Sequence, residues 1–303
     1  MVVNRDPLVD RLAALGVVER GEPMSPPVAL APSVLAAALA VRPSTIPPAE
    51  PGTPAGLLVE VSDALDADLE TLDAHDWSRP VVAGWSVQDM VAHLAAVHEV
   101  LVQRLHGRDD RPVTPTELDL ATERVIAEQR RFEPSVTRAL WRASVDRLRH
   151  GLAVSDTQIN WLGLAVGAEA TIVDRAFETW IHGNDIRRVT NRSSLDPSGQ
   201  HLEVLCDLAV EILPLTLVAA ERPVDALVTL NLSGSGGGTW LMPLGVGAAS
   251  GIEFTVKAVA RELCLLLGDR IDAADFAYTV RGHDNAAAIM GEVVQLAPSF
   301  ARP

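Results

Sequence analysis

Residues 169–189, EATIVDRAFETWIHGNDIRRV, constrain the fold most strongly, because their spacing is that of one long helix. Its polar side chains of metal-ligand type form one stripe: Asp174, Glu178, His182 and Asp185. At about 100° of rotation per residue, these four side chains project within roughly 80° of one another. Glu178 and His182 are spaced i, i+4, so carboxylate and imidazole project side by side and can share one metal ion. A solvated helix face has the same appearance, so a metal site requires a third ligand from another helix.

A candidate third ligand lies on a second predicted helix, whose start is marked by GWSVQDM at 84–90. Ser86 is placed to cap this helix, and Asp89 is placed to accept from the backbone N–H of Ser86. The helix continues through VAHLAAVHEVLVQRL with an apolar buried side: Val87, Met90, Val91, Leu94, Val97, Leu101 and Leu105. His93 falls within the margin of this stripe and is predicted to face the bundle interior, whereas His98 projects about 140° away. The two histidines cannot both point into one site.

Composition and charge exclude several classes of partner. The chain has 303 residues, 48% of them hydrophobic, enough for one large or two medium-sized domains. Its net charge of −15 and pI of about 4.9 disfavour a nucleic-acid backbone or an anionic membrane surface. The apolar runs are interrupted by proline or charge well before ~20 residues, and the N-terminus lacks a signal-peptide pattern. We expect a soluble cytoplasmic protein that binds neither nucleic acid nor membrane.

The two cysteines, Cys206 and Cys264, each lie within an apolar helical pattern. Both are predicted to be small buried hydrophobes in a reducing compartment, with no disulfide between them. There is no CxxC pair, so the sequence encodes neither a zinc finger nor a zinc ribbon.

Helical periodicity dominates the sequence from residue 56 to about 190. A first amphipathic helix is predicted to end near HDWSRP at 75–80, because Pro80 cannot continue it. The third helix is predicted in two segments, LATERVIAEQRRF and a second that opens at Pro134. TQINWLGLAVG at 157–167 is predicted to be a connection packed on the bundle. Together with residues 169–189, these segments predict a four-helix bundle, a scaffold that builds metal sites between facing helices.

The pattern changes after NRSSLDPSG at 191–199. A helix is followed by VDALVTLNL at 224–232, whose alternation predicts a strand. The glycine cluster at 234–238 is predicted to be a hairpin turn rather than a phosphate loop, because strand flanks it and no GK[ST] follows. IEFTVKAVA and DFAYTV are predicted as further strands between helices, which gives an α+β unit.

The first 55 residues are dense in proline, above all in RPSTIPPAEPGTP at 42–54, and are predicted to form a linker or an extended arm. Within the arm, SVLAAALAV at 33–41 predicts a short apolar helix that needs a partner in this chain or another. The predicted domains are therefore a proline-rich arm at 1–55, a metal-binding four-helix bundle at 56–195 and an α+β domain at 200–303.

On these residues, the chain resembles the mycothiol-dependent maleylpyruvate isomerase family, a branch of the DinB-like metalloproteins. GWSVQDMVAHL is similar to the family's N-terminal metal-binding helix, and FETWIHGNDIR is similar to its later ExxxH helix. Segments between 224 and 295 resemble its C-terminal domain. The resemblance covers about residues 56–297 and implies an α+β multidomain fold, with a DinB-like four-helix bundle followed by a small sterol-carrier-protein-like domain.

The resemblance implies that His93, Glu178 and His182 ligate a divalent metal ion, the same residues that helical geometry selects. Two histidines and one glutamate leave coordination positions open for water or substrate, which is typical of a catalytic site. These ligand types suit Zn²⁺ best and also accept Ni²⁺, Fe²⁺ or Mn²⁺.

Three further residues are candidates for roles around the metal. Asp185 and Asp174 are placed to hold the free ring nitrogen of a ligating histidine, or equally to form surface ion pairs with Arg187 or Arg188. In the family, arginines of the second domain help to bind substrate, and Arg270 in LLLGDR lies at a comparable place.

Three functions are compatible with the sequence. The preferred one is an enzyme that uses a low-molecular-weight thiol, mycothiol, for isomerisation or S-transfer on a small electrophilic substrate. The alternative is an anti-sigma-like regulator that binds a protein partner through residues 1–55 and keeps the metal site as a sensor or relic, although the His/Cys finger of such proteins is missing. A small-ligand or lipid carrier rests on fold analogy alone. Two features depart from the isomerases: the proline-rich arm, and GHD at 282–284 where the family has Gly-Asp.

Overall fold

The structure is a computed structural model that describes residues 50–106, 111–152, 158–162, 164–222, 224–245, 248 and 251–298. The predictions made for residues 1–49, including the helix at 33–41, lie outside the described residues. Within the described ranges, none of the helices has both the length and the apolar character needed to cross a membrane.

The first part of the described chain is a helical bundle. Its helices are α1 (Pro54–Glu70), α2 (Ala74–Trp77), α3 (Val87–Leu105), α4 (Pro115–Gln129), α5 (Pro134–Leu152) and α6 (Ala168–Val189). An antiparallel hairpin of β1 (Gln158–Trp161) and β2 (Leu164–Gly167) precedes α6. Helix α1 packs along α6 and α3 packs along α5, and these two pairs form the bundle, with α4 lying on α3. The metal-ligand stripe of α6 therefore faces α3.

The second part combines helices with a four-stranded sheet. Its elements are α7 (Gly199–Ala219), β3 (Ala226–Ser233), β4 (Gly238–Pro243), β5 (Ile252–Val259), α8 (Ala260–Leu267), β6 (Thr279–Gly282) and α9 (Ala286–Leu296). The strand order is β4-β3-β5-β6, with β3 and β5 parallel and the other pairs antiparallel. The predicted α+β fold class, a bundle followed by a smaller α+β unit, is confirmed. The domain boundaries stay a prediction, because buried residues of bundle and sheet form one continuous hydrophobic cluster.

The start of α3 has the predicted capping box. The hydroxyl of Ser86 accepts from the backbone N–H of Asp89 at 3.2 Å, and the Asp89 carboxylate accepts from the backbone N–H of Ser86 at 2.9 Å. Arg130 at the end of α4 also donates to Asp89 at 2.8 Å, which ties the two helix ends together. All the apolar positions predicted for the inner side of this helix are buried. The cap fixes the start of α3, and burial of its apolar side directs His93 inward.

We expect Ser86→Ala to lower the free energy of unfolding by about 1 kcal/mol, because an N–H of the first turn loses its acceptor. Denaturant titration followed by circular dichroism measures this loss. Ser193→Ala, in an exposed loop, is the matched control and should leave the midpoint unchanged. An unchanged midpoint for Ser86→Ala would mean that the box does not stabilise the helix.

Two local predictions were wrong, and a third was incomplete. The segment at 157–167 packs on the bundle as predicted, with Ile159 and Trp161 buried, but it contains the hairpin β1–β2. The backbone of Val113 bonds to that of Asn160 and Leu162 and so supports an extended chain there. The first helix ends at Glu70, and α2 begins separately because the Asp73 carboxylate caps it. The last strand is not DFAYTV but Thr279–Gly282, since the strand register is set by pairing with β5.

The glycine cluster forms the predicted hairpin turn. Strands β3 and β4 pair on either side of it, and the N–H of Gly237 donates to the carbonyl of Gly234 at 3.1 Å. This local structure agrees with the prediction that the glycine cluster is a hairpin turn and not a phosphate loop.

Candidate metal centre

The three predicted ligands meet between α3 and α6. One ligand-type atom of each of His93, Glu178 and His182 lies within 4.8 Å of the others. The two imidazole rings are edge to face, with their centroids 5.7 Å apart. All three residues are partly buried, and the side chains of Glu178 and His182 are 19% and 13% exposed. Long-range packing of α3 against α6 therefore brings together residues that are about 85 positions apart in sequence.

His93 is oriented by residues of two neighbouring segments. Its Nδ1 lies 3.0 Å from the hydroxyl of Thr122, a buried residue of α4. The ring of Trp85, just before the cap of α3, lies against it with centroids 5.1 Å apart. Because Nδ1 has this partner, Nε2 is the ring nitrogen left to face the other two ligands.

His182 is held by carboxylates on both ring nitrogens. Its Nδ1 lies 3.2 Å from Oδ2 of Asp185, and its Nε2 lies 3.1 Å from Oε2 of Glu178. Asp185 is 3% exposed and also accepts from Arg270, which lies beyond α8 in the second part of the chain. Asp185 therefore has the position that was predicted for a residue holding the free nitrogen of a ligating histidine.

The charges of the site are strongly coupled. Burial opposes a charge on His182, but the hydrogen bonds that its ring donates to Asp185 and Glu178 outweigh it and raise the pKa of His182 to about 9. Burial lowers the pKa of His93 to about 3, and the charge of His182 adds to this effect. Burial would raise the pKa of Glu178, but its hydrogen bond with His182 lowers that pKa to about 2. At neutral pH the site holds one carboxylate, one neutral imidazole and one imidazolium.

These residues fit a divalent cation. A ligating histidine must be neutral, with its other nitrogen protonated and donating to an acceptor. The carboxylate of Asp185 is such an acceptor at Nδ1 of His182, and the hydroxyl of Thr122 is able to accept from Nδ1 of His93. Nε2 of His182 contacts Glu178, so a cation would bind this nitrogen only after the imidazolium has lost its Nε2 proton.

Asp174 does not contact a candidate ligand histidine. Its carboxylate accepts from Arg175 at 2.6 Å, and both residues are buried. The guanidinium of Arg175 lies 5.3 Å above the ring of Trp161 in β1. Asp174 therefore forms a buried ion pair with Arg175, and not a surface ion pair with Arg187 or Arg188. Asp185 is buried as well, and Nη2 of Arg188 lies 3.6 Å from its Oδ1.

Sequence reasoning singled out neither Thr122 nor Arg175. A signal existed for Thr122, because helical spacing places it on the same face of α4 as the apolar residue Ile126. For Arg175 no such signal existed, since its partner Trp161 lies in the hairpin that the sequence did not reveal.

The remaining features around the bundle are separate from this centre. His98 is fully buried and its Nδ1 contacts the hydroxyl of Ser144 at 3.0 Å, so it is a packing residue. A groove of about 1100 Å³ lies between α3, α4 and α5, and none of the three candidate ligands lines it.

An inward histidine on one helix and an ExxxH pair on the facing helix place three side chains of metal-ligand type together inside a four-helix bundle. Residues 58–187 match the family profile described as the mycothiol maleylpyruvate isomerase N-terminal domain. This match confirms, over residues 58–187, the resemblance deduced from the sequence.

Solved structures show the same fold over a longer range. The crystal structure of the mycothiol-dependent maleylpyruvate isomerase is 20% identical, with a TM-score of 0.51, and covers 76% of this chain and 92% of that chain. A His→Ala mutant of the isomerase gives 19% identity, a TM-score of 0.51, and coverage of 75% and 91%. Two curated relatives, from Mycobacterium tuberculosis strains CDC 1551 and H37Rv, are both described as uncharacterized proteins. Each is 26% identical over 235 residues, 73% of this chain and 87% of the relative.

Proposed function

We propose that this chain is a metal-dependent enzyme that uses a low-molecular-weight thiol, mycothiol, for isomerisation or S-transfer on a small electrophilic substrate. The observation that carries the proposal is the convergence of His93, Glu178 and His182 on the family's bundle, with both histidines oriented through Nδ1. The isomerase of the same fold is named for its dependence on mycothiol.

The chain's own residues would hold the ion and shape its surroundings. His93, Glu178 and His182 are the proposed ligands, with Zn²⁺ preferred and Ni²⁺, Fe²⁺ or Mn²⁺ accepted by the same donor atoms. A divalent cation bound there stabilises a thiolate relative to a thiol at neutral pH. Asp185, which only accepts, would keep a proton on Nδ1 of His182, and the hydroxyl of Thr122 would orient the ring of His93. None of the three ligands needs to act as a general base.

The nucleophile is proposed to come from outside the chain because its own cysteines are unsuited to this role. Cys206 and Cys264 are fully buried against each other, with their sulfur atoms 3.9 Å apart. The hydrogen bond between the Cys264 thiol and Cys206, together with burial, holds the pKa of Cys264 well above its usual range. An external thiolate that adds to an activated double bond and leaves after rotation gives cis–trans isomerisation, whereas one that stays attached gives S-transfer.

Thermal unfolding with and without mycothiol tests this function. Mycothiol at about 100 times its Kd should raise the Tm of metal-loaded protein by roughly 5 to 10 °C, because it binds only the folded state. Metal-stripped protein should show no shift, and mycothiol disulfide, which lacks a free thiol, is the ligand control. Turnover of maleylpyruvate or capture of an electrophile should then require both metal and thiol. Absence of a shift with every thiol tested on the metal-loaded protein would refute the enzyme function.

The regulatory alternative makes a different prediction for the same chain. It expects a tight protein partner that is lost when the N-terminal arm is removed, and stability that does not depend on thiol. The deletion should end at residue 49, because the carbonyl of Glu50 accepts from His201 and Thr53 caps α1. Under the enzyme function, this deletion leaves thiol binding intact.

A further inference from the structure

We infer that Arg270, which follows α8, is a positioning residue for His182 and acts through Asp185. The inference rests on the proposed metal centre and adds to it a residue from the second part of the chain. Arg270 was expected from the family resemblance to contact substrate. The structure gives its guanidinium a different partner.

Arg270 and His182 share the carboxylate of Asp185. Nε of Arg270 donates to Oδ1 of Asp185 at 2.9 Å, and Nη2 donates to Oδ2. Oδ2 also lies 3.2 Å from Nδ1 of His182. A bidentate guanidinium fixes the plane of a carboxylate, so Asp185 cannot rotate without breaking a charge-assisted hydrogen bond. The direction of the His182 ring, and therefore of its Nε2, follows from that plane.

Arg270 is itself held in place by its own turn. Its Nη1 donates to the carbonyl of Gly268 at 2.6 Å, and its backbone N–H donates to the carbonyl of Leu265 at 2.8 Å. The turn is seated directly on α6, since a Cβ added at Gly268 would lie 2.8 Å from Cδ1 of Ile181. Ile181 immediately precedes His182. The contact between Gly268 and Ile181 therefore holds the turn that contains Arg270 beside the part of α6 that contains His182.

The neighbouring arginine, Arg188, does not have the geometry to replace Arg270. Arg188 is the other arginine near Asp185, but its Nη2 lies 3.6 Å from Oδ1 and its side chain is 65% exposed. An exposed pair at that distance contributes little orientation. Arg270, with 27% of its side chain exposed, supplies the short bidentate contact.

The affinity of the protein for Co²⁺ alone tests this role, with the visible spectrum of bound Co²⁺ reporting ligand geometry. Arg270→Met removes the donors and keeps an apolar stem of similar reach. We expect it to weaken Co²⁺ binding about tenfold or more, the usual effect of removing a residue that orients a metal-ligating histidine. The cobalt spectrum should also change. Arg261→Met is the matched control, because it breaks the ion pair between Arg261 of α8 and Asp196. It should change neither the affinity for Co²⁺ nor the cobalt spectrum.

A double-mutant cycle shows whether Arg270 acts through Asp185. Asp185→Asn should weaken Co²⁺ binding, and adding Arg270→Met should weaken it no further. If Arg270→Met does not fold, Arg270→Lys replaces it, because lysine keeps the charge but cannot bond both oxygens in one plane. Wild-type affinity and spectrum in the Arg270 variant, or fully additive losses, would overturn the inference. Failure of the wild-type protein to bind Co²⁺, Zn²⁺ or Ni²⁺ would instead refute the metal centre of the proposed function, and this inference with it.

Discussion

His93→Ala is expected to weaken binding of Zn²⁺ by at least a hundredfold, roughly 2.7 kcal/mol, because it removes one of three protein ligands. The loss should exceed the 10- to 100-fold effect that is typical of residues holding a ligand in place. The Glu178–His182 pair stays in place in this variant, so the change isolates the contribution of α3. Elemental analysis of purified protein and calorimetric titration of the stripped protein measure it.

Matched controls make this result specific. His182→Ala should lose the metal in the same way, whereas His150→Ala, an exposed histidine at the end of α5, should bind Zn²⁺ like the wild type. The wild-type protein is expected to carry near one divalent ion per chain. A wild type that is metal-free and takes up neither Zn²⁺ nor Ni²⁺, or a His93→Ala variant of unchanged affinity, would contradict the ligand assignment.

The affinity for Zn²⁺ is also expected to rise tenfold per pH unit between about pH 6 and pH 8, with one proton released per ion. The reason lies in the metal-free site, where the pKa of His182 is about 9 and that of His93 about 3. Below pH 9 a proton therefore has to leave His182 before its Nε2 can bind metal. His93 is already neutral throughout this range and releases none, so the slope is one and not two.

Titration calorimetry in buffers of different ionisation enthalpy counts the released protons directly. Asp185→Asn removes a hydrogen bond that raises the pKa of His182, so its proton release should end at a lower pH than in the wild type. A slope of two would show that both histidines are protonated in the metal-free protein. A slope of zero would contradict the raised pKa of His182, because it would show that no proton leaves the site when the metal binds.

Local sequence signals predicted which side chains of ligand type lie together, because those signals depend on helical periodicity. His93 was placed by its position within an apolar stripe, and Glu178 and His182 by their i, i+4 spacing. The capping box at Ser86 was predictable for the same reason, since it is encoded within four residues.

Features that depend on contacts between distant segments were not predictable. The partner of Asp185 lies 85 residues away at Arg270, and no periodicity connects the two. The hairpin β1–β2 depends on pairing with Val113, and the position of β6 depends on its register with β5. Asp174 was placed on the ligand stripe, but the choice of Arg175 as its partner is made by packing near Trp161.

The continuous hydrophobic core decides which length of chain can be produced and studied as a unit. The family match ends at residue 187, yet the face of α6 that contains Phe177 and Ile181 is covered by the turn at Gly268. A fragment cut after the bundle would present this apolar face to water and leave the buried Asp185 without its guanidinium. The boundary of the family segment is therefore not a safe place to divide the protein, and fragments for spectroscopy or crystallisation should extend through α9.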